Sequence, residues 1–231
     1  GVLRVAVPRD DSLDRVARGA VFETLTEIAP DGALRGELAT QWHASADARV
    51  WTLDLRPDVV FHDGSPLAIT DVVASLQDLP DLHSADATTA TQLRLELNVA
   101  NPGLPFLLAD TACAIGPDGR VTGPLANAIG TGCYAVRDAQ DDRHFRAQKQ
   151  TNHYKSGQSG WVDQIEVIVI SDPAVRAEAL RDGYVDVAAL PQPEGLRERT
   201  KYRYHPSEHE MALAVAETVG MPRQIRARSL L

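Results

Sequence analysis

The stretch of sequence that decides the fold is residues 50–72, which read VWTLDLRPDVVFHDGSPLAITDV. Its first part alternates, with Trp51, Leu53 and Leu55 on one face and mainly polar side chains on the other. Alternation with a period of two residues is typical of a strand that is buried on one side only. Residues 50–55 therefore predict a half-buried β-strand.

The second part of the same stretch predicts a turn followed by a helix. Residues 59–61 predict a short second strand, and residues 62–66 (HDGSP) predict a turn. Thr70 is a favourable N-cap residue, and Asp71 suits the positive end of a helix dipole. We therefore expect a helix from Thr70 to about residue 79.

Outside this stretch, hydrophobic patterns predict further elements along the chain. Helices are predicted at residues 11–26, 104–109 and 173–181. Strands are predicted at residues 3–7, 93–99, 111–115, 133–137, 144–149, 165–170 and 185–188. In chain order, the last three predicted elements are the strand at residues 165–170, the helix at 173–181 and the strand at 185–188, which implies a parallel pair with a crossover helix. The expected fold class is therefore α/β.

The composition is typical of a globular protein with an acidic surface. The chain has 231 residues, of which 44% are hydrophobic, and a formal net charge of −9. An acidic total argues against a duplex-binding surface, so no nucleic-acid partner is expected. The apolar runs are shorter than the roughly 18 residues that a membrane-spanning helix needs. No export signal is visible at Gly1, and we expect that such a signal has been removed from the mature chain.

The two cysteines, Cys113 and Cys133, form no CxxC or Cys/His metal-binding pattern. In an exported protein they could form a disulfide, which would contribute roughly 3 kcal/mol in the chain-entropy model. Two buried free thiols are equally compatible with the sequence. The sequence leaves these alternatives open.

The motifs of the common catalytic sites are absent. The chain contains no GxSxG, HExxH, P-loop or GxGxxG pattern. His62 and Asp63 are adjacent and would point to opposite faces of a strand, so a role in a turn is the better interpretation than a catalytic dyad. His205 and His209 would share one face of a helix, but no third ligand is near them in sequence. We expect no enzymatic activity, no cofactor and no bound metal.

Several segments in and around the opening stretch resemble, in order, the signature of family 5 bacterial solute-binding proteins. These are the oligopeptide-, dipeptide- and nickel-binding components of ABC importers. The matching segments are residues 36–42 (GELATQW), 45–47 (SAD), 51–56 (WTLDLR), 60–67 (VFHDGSPL) and 70–72 (TDV). Farther along the chain, the family pattern also fits residues 130–134 (GTGCY), 152–154 (NHY) and 177–186 (AEALRDGYVD).

The resemblance implies a two-lobed clamshell fold. Its first lobe would be of the periplasmic-binding-protein type II, with an inserted α+β subdomain. On this chain the first lobe is expected at residues 1–30 and 128–200, and the inserted subdomain at residues 31–127. Residues 201–231 would begin the second lobe or substitute for it.

Two segments are expected to contact a ligand. Arg9, Asp10 and Asp11 follow the first strand, and parallel-sheet proteins place ligand-binding loops at this end of their strands. The second group is expected at the edge of the first lobe and comprises Gly130, Thr131, Gly132 and Tyr134.

The chain departs from the family pattern in ways that bear on binding. Cys133 stands where the family has a proline, and the loop after the first strand is shortened at residues 12–15. The second lobe, which closes on the ligand in the family, is not recognisable. An exposed cleft wall tends to recruit another surface, so we expect a homodimer, a ligand site shared between chains or a longer parent protein. For residues 211–219 the family alignment favours a strand, whereas the composition favours a helix. We expect the helix.

The function implied by the resemblance is non-catalytic. We expect a solute-binding component of an ABC import system, or a truncated or degenerate form of one. It would bind a peptide or a similar small polar ligand in the periplasm or another extracytoplasmic space and present it to a membrane permease. The alternative is a ligand-sensing or interaction module of a regulatory protein, since some transcription regulators resemble this family in their sensing domain.

Overall fold

The computed structural model describes residues 1–29, 31–192, 196, 202–206 and 212–216. The helices are α1 Ser12–Val21, α2 Ile69–Ser75, α3 Leu104–Leu107 and α4 Pro173–Arg181, with 3₁₀ turns at Thr111–Cys113, Pro117–Gly119 and Leu125–Asn127. The strands are β1 Val2–Val7, β2 Thr26–Ile28, β3 Leu34–Gly36, β4 Ala39–Ala44, β5 Val50–Leu55, β6 Leu82–Thr89, β7 Gln92–Leu97, β8 Tyr134–Gln140, β9 His144–Lys149, β10 Gln164–Val169, β11 Val187–Leu190, β12 Tyr202–Pro206 and β13 Ala212–Ala216.

The described residues form two compact units. The unit that contains β1 is called the α/β unit and comprises residues 1–20, 124–127 and the described residues from 133 onward. The unit between these segments is called the inserted unit and comprises residues 21–123 and 128–132.

The units begin and end at other residues than those expected from the sequence. Residues 21–29 and 128–132 belong to the inserted unit, whereas the sequence suggested the first lobe for them. Hydrogen bonds explain the difference. Strand β2 pairs with β3, and the N–H of Gly132 donates to the carbonyl oxygen of Val21 at 2.8 Å. The bond between Gly132 and Val21 joins residues far apart in sequence, so it cannot be read from local patterns.

A seven-stranded mixed sheet forms the α/β unit, in the order β12, β13, β11, β1, β10, β9, β8. Strand β1 pairs in parallel with β10 on one side and with β11 on the other, whereas the other pairs are antiparallel. Because α4 connects β10 to β11, the predicted strand–helix–strand unit is confirmed, with β1 lying between its two strands. The expected α/β class is confirmed as well.

Helix α4 covers the residues that the sequence predicted, Pro173–Arg181. Asp172 is its N-cap and accepts a hydrogen bond from the N–H of Ala174 at 2.8 Å, and Pro173 occupies the first helical position. Past its end, Gly183 has a φ of 78°, which a glycine adopts without strain. Leu180 of α4 packs in a buried apolar cluster with Ala6 of β1 and with Val185, Ala188, Leu190 and Leu196.

The inserted unit contains a four-stranded antiparallel sheet in the order β4, β5, β7, β6. Trp51, Leu53 and Leu55 are buried along β5, as the alternation predicts. On the neighbouring strand β7, Leu93 pairs with Leu53 and Leu95 pairs with Trp51, and both leucines are fully buried. The face of β5 that the alternation selected is therefore the core face of this sheet.

Other parts of the inserted unit differ from the sequence-based expectation. The strand expected at residues 59–61 is a single bridge between Val60 and Pro66, and the strand expected at residues 111–115 begins as a 3₁₀ turn. Strands β4 and β6 were missed because their exposed positions carry mixed polar and small side chains. Their place in the sheet depends on pairing with β5 and β7 and not on a pattern of their own.

Helix α2 has its N-cap two residues before the expected one. Its N-cap is Ala68 and not Thr70, and the Asp71 carboxylate accepts a hydrogen bond from the N–H of Ala68 at 2.8 Å. The other oxygen of this buried carboxylate accepts from the N–H of Asp118 at 2.8 Å. Asp71 thus satisfies the first turn of α2 and also fixes the 3₁₀ turn Pro117–Gly119 against the helix.

The segment near the end of the chain does not form the helix that its composition favoured. Residues Ala212–Ala216 form strand β13, which pairs with β11 on one side and with β12 on the other. The helix was therefore wrong over these residues, and residues 211 and 217–219 lie outside the described part. Partners on both sides outweigh a small difference in helix propensity. The described residues from 202 onward extend the sheet of the α/β unit.

The structure contains both cysteines as free thiols, so it has no Cys113–Cys133 disulfide. Cys113 is buried in the inserted unit, where burial raises the pKa of its thiol to about 11. Cys133 belongs to the α/β unit, and its Sγ lies 3.4 Å from Nδ1 of His153. Among the described residues, no helix is long and apolar enough to cross a membrane.

Arg176 of α4 is a cation buried within the α/β unit, with 3% of its surface exposed. Its guanidinium donates to the carbonyl oxygens of Ile170, of Ser171 at 3.0 Å and of Ala189 at 2.7 Å. Burial lowers the pKa of Arg176, and the carboxylates of Asp10 and Asp172 oppose this effect. The side chain therefore joins the end of β10 to the end of β11.

Replacement of Asp71 by alanine is expected to lower the free energy of unfolding by about 2 kcal/mol. The change removes the bond to the N–H of Ala68 at the start of α2 and leaves the N–H of Asp118 without this acceptor. The matched control is Thr70→Ala, which should change stability by less than about 0.5 kcal/mol because Thr70 is exposed and does not cap the helix. Urea denaturation measures both values, and equal losses in the two variants would contradict the cap described here.

Replacement of Arg176 by methionine is expected to cost about 3 kcal/mol of stability, because three carbonyl oxygens lose a charged donor inside the protein. Arg181→Met on the exposed end of the same helix should cost less than about 0.5 kcal/mol, since that side chain forms only surface ion pairs. Urea denaturation compares the two variants. A loss in Arg176→Met as small as that in Arg181→Met would refute the bridging role.

Candidate functional site

The candidate site lies where the parallel strands of the α/β unit end. Strand β1 ends at Val7 opposite Val169, the last residue of β10. Because parallel strands end on the same side of a sheet, the loops at residues 8–11 and 170–172 lie at one edge, which is called the carboxyl edge here. Helices α1 and α4 begin directly after these loops.

Arg9 is the exposed basic side chain of the loop after β1. Its Nε donates to Oγ of Ser171 in the neighbouring loop, at 3.4 Å. The main chain of Ser171 is held in turn by the buried Arg176, which donates to its carbonyl oxygen. Arg9 is therefore an exposed guanidinium that contacts a loop of fixed position.

Asp10 and Asp11 lie beside Arg9, and their carboxylates bond to the first turn of helix α1. The carboxylate of Asp10 accepts from the N–H of Ser12 at 2.8 Å, and Asp11 forms an ion pair with Arg15 at 2.7 Å. These bonds stabilise the first turn of the helix. Both carboxylates are on exposed residues and contribute negative charge to the carboxyl edge.

The charges at the carboxyl edge are of both signs. Arg9 and the buried Arg176 are positive, and Asp10, Asp11 and Asp172 are negative. The two helix N-termini add partial positive charge, although Asp10 and Asp172 already accept hydrogen bonds there. An edge of this kind can bind a ligand that carries a carboxylate together with an amino or other donor group.

The second predicted group is residues 130–132, called the glycine loop here, which belongs to the inserted unit. A Cβ added to Gly130 would lie 2.1 Å from the carbonyl oxygen of Val21, so this backbone approach requires glycine. Thr131 is also buried, with 2% of its surface exposed, and the N–H of Gly132 donates to Val21. The described contacts of the loop are therefore close contacts within the unit.

Tyr134 begins strand β8 of the α/β unit and is buried. Its hydroxyl donates to the carbonyl oxygen of Val162 at 3.0 Å. Burial raises the pKa of Tyr134 to about 12, so the phenol stays protonated at neutral pH. The side chain fixes the loop before β10 against the start of β8.

The structure places Arg9, Asp10 and Asp11 in the loop at the carboxyl edge, Tyr134 at the start of β8, and the glycine loop in the inserted unit. The sequence reading missed Ser171, Asp172 and Arg176. The dipeptide Asp172-Pro173 was a usable signal, since it marks a helix start after a strand. The parallel pairing of β10 with β1, which puts these residues next to Arg9, was not visible in the sequence.

The other residues weighed for chemistry are placed as follows. The ring of His62 is hydrogen-bonded to the glycine loop, and Asp63 accepts from the N–H and the hydroxyl of Ser65. These bonds hold the pKa of Asp63 below its usual value, and they confirm its role in a turn. His205 lies on strand β12, whereas His209 lies outside the described residues. In the part of the chain that the structure describes, no three His, Cys, Asp or Glu side chains are grouped as metal ligands.

Known proteins similar to this chain include transporters' binding proteins and a regulator. The HTH-type transcriptional regulator SgrR of Escherichia coli strain K12 is 31% identical over 166 residues, which are 67% of this chain and 29% of the regulator. The nickel-binding periplasmic protein of the same organism is 25% identical over 225 residues, which are 88% of this chain and 42% of that protein. The chain thus spans less than half the length of these relatives.

A solved structure shows the same fold. The ABC transporter-associated periplasmic binding protein DppA from Helicobacter pylori, in complex with peptide STSA, superposes with a TM-score of 0.77 at 20% identity. The match covers 89% of this chain and 50% of DppA. In addition, residues 33–213 match the family described as bacterial extracellular solute-binding proteins, family 5 Middle. The chain belongs to family 5 of the bacterial extracellular solute-binding proteins.

Proposed function

We propose that this chain is the solute-binding part of an ABC import system and holds a peptide or a similar small polar ligand without changing it chemically. The observation that carries the proposal is the exposed guanidinium of Arg9 at the carboxyl edge of a family 5 fold. Ligands of open α/β sheets bind at this edge, in the crevice outside the carboxyl ends of the strands.

Arg9 is the residue that we propose for recognition of a ligand carboxylate. Its contact to Ser171 fixes one side of the guanidinium, and its terminal nitrogens can pair with both oxygens of a carboxylate. The negative charges of Asp10 and Asp172 suit an amino group of the same ligand. Peptides and amino-acid derivatives carry both groups, and the peptide complex of DppA supports this ligand class.

The other proposed contacts follow from the family. Such a protein acts outside the cytoplasmic membrane and presents its ligand to a membrane permease, so we propose a periplasmic or extracytoplasmic location with an export signal removed. We propose that the opposite wall of the ligand site comes from further sequence of a longer protein or from a second copy of the chain. Light scattering in solution, with and without ligand, distinguishes a monomer from a homodimer.

A second candidate function is a ligand-sensing module of a transcription regulator. The observation that favours it is the 31% identity to SgrR, which exceeds the 25% identity to the nickel-binding protein. Arg9 would bind the ligand carboxylate in both cases. The two functions would differ in the consequence of binding, which is delivery to a permease in one and regulation of transcription in the other. The complete reading frame that encodes this chain separates the candidates. An export signal supports transport, and a winged-helix region supports regulation.

Replacement of Arg9 by alanine is expected to weaken the binding of trialanine at least about tenfold, because a charged hydrogen-bonding partner of the carboxylate is lost. Isothermal titration of the wild type and the variant with trialanine measures the change. Trialanine amide, which lacks the carboxylate, should bind the two proteins equally. The matched control is Arg18→Ala in the last turn of α1, which pairs with Asp14 and should leave the affinity unchanged.

Two results would contradict this proposal. If the wild-type chain binds neither trialanine nor other short peptides, solute binding of this class is refuted. If peptides bind but Arg9→Ala and Arg18→Ala have equal affinities, the ligand carboxylate is recognised elsewhere.

A further inference from the structure

His62, the histidine of the HDG turn, contacts the distant glycine loop through both its main chain and its side chain. Its N–H donates to the carbonyl oxygen of Gly130 at 2.9 Å. Its ring atom Nε2 lies 2.8 Å from the carbonyl oxygen of Gly132, and its Nδ1 lies 3.4 Å from the nitrogen of Gly130, which donates to it. All of these residues belong to the inserted unit.

The partners of the ring determine its tautomer. The carbonyl oxygen of Gly132 can only accept, so Nε2 carries the proton and donates. The N–H of Gly130 can only donate, so Nδ1 is unprotonated and accepts. The imidazole therefore joins a donor and an acceptor of the glycine loop at the same time, which an apolar ring of similar size cannot do.

The backbone of the glycine loop is tightly constrained by its contacts with Val21. Gly132 donates to Val21, and the close approach of Gly130 to Val21 leaves no space for a Cβ. The chain first leaves the α/β unit between residues 20 and 21, rejoins it briefly at residues 124–127, and returns to it finally between residues 132 and 133. The loop held by His62 therefore lies on the return connection, directly hydrogen-bonded to the outgoing one.

We infer that His62 is a positioning residue, whose imidazole fixes the backbone of the glycine loop through the two ring hydrogen bonds. The inference is independent of the proposed function, because the hydrogen bonds of the loop can be measured without any ligand. It assigns two specific hydrogen bonds to this histidine, whereas a general contribution to stability would not depend on which ring nitrogen is lost. The two ring nitrogens have separate partners, so each bond is testable by itself.

Three substitutions separate the two bonds. In His62→Asn the amide oxygen occupies nearly the position of Nδ1 and can still accept from Gly130. In His62→Gln the amide nitrogen reaches nearly the position of Nε2 and can still donate to Gly132. His62→Phe keeps the approximate ring volume and removes both bonds. The matched control is His43→Phe on the exposed strand β4 of the same unit.

Amide hydrogen exchange and carbonyl chemical shifts, measured by NMR on the whole chain, test the inference. We expect the N–H of Gly130 to exchange about tenfold faster in His62→Gln and His62→Phe than in the wild type, and at nearly the wild-type rate in His62→Asn. The carbonyl ¹³C shift of Gly132 should stay near its wild-type value in His62→Gln only. His43→Phe should change neither quantity.

Defined outcomes would overturn the inference. One is wild-type exchange of Gly130 in His62→Phe. Another is an equal effect of His62→Asn and His62→Gln on both observables, which would indicate general destabilisation without a positioning role. If His62→Phe does not fold, the asparagine and glutamine variants still decide. Failure of the wild type to bind peptides would refute the proposed function and leave these amide measurements unaffected.

Discussion

The parallel pairing of β1 with β10 runs from Val2 opposite Gln164 to Val7 opposite Val169, and the candidate site depends on it. Because both strands end at the same edge, the loops that follow them are neighbours, and Arg9 reaches Ser171 across 3.4 Å. An antiparallel β10 would place Ser171 at the other end of the sheet and leave Arg9 without this support. The pairing also directs the N-termini of α1 and α4 to the same edge, where acidic side chains accept from them.

The family signature in this chain serves mainly the structure of the inserted unit. Asp71 closes the first turn of α2 and holds a distant 3₁₀ turn, and His62 contacts the glycine loop on its two ring nitrogens. Trp51 and Leu53 form part of the buried face of a sheet. These contacts within the inserted unit explain why the signature identifies the fold well and indicates little about the ligand.

The buried Arg176 connects packing to the site. Taking a guanidinium out of water is unfavourable, and the three carbonyl oxygens at the ends of β10 and β11 offset this cost. The result is a rigid support beneath exposed residues of both charges. Such an arrangement is suited to binding, because the recognising groups are held in place before the ligand arrives.

The sequence by itself determined the elements whose signals are local. Alternation located β5 and its buried face, and the hairpin strands β8 and β9 follow from β-rich runs about a turn. Pro173 in the first turn and Gly183 past the end are the local signals for α4. The order of the predicted elements gave the α/β class, and the resemblance gave the family. The β-rich run at residues 3–7 placed Arg9, Asp10 and Asp11 just after β1.

Only the tertiary structure decided what depends on pairing between distant residues. Ala212–Ala216 is a strand because β11 and β12 flank it, although its composition favours a helix. Ala68 and not Thr70 is the N-cap of α2, because the Asp71 side chain reaches back to the N–H of Ala68. The bond from Gly132 to Val21, the bond from Tyr134 to Val162 and the bond from Arg9 to Ser171 also join residues far apart in sequence. Local patterns report propensity and burial, whereas hydrogen-bond partners far apart in sequence are chosen only when the chain is folded.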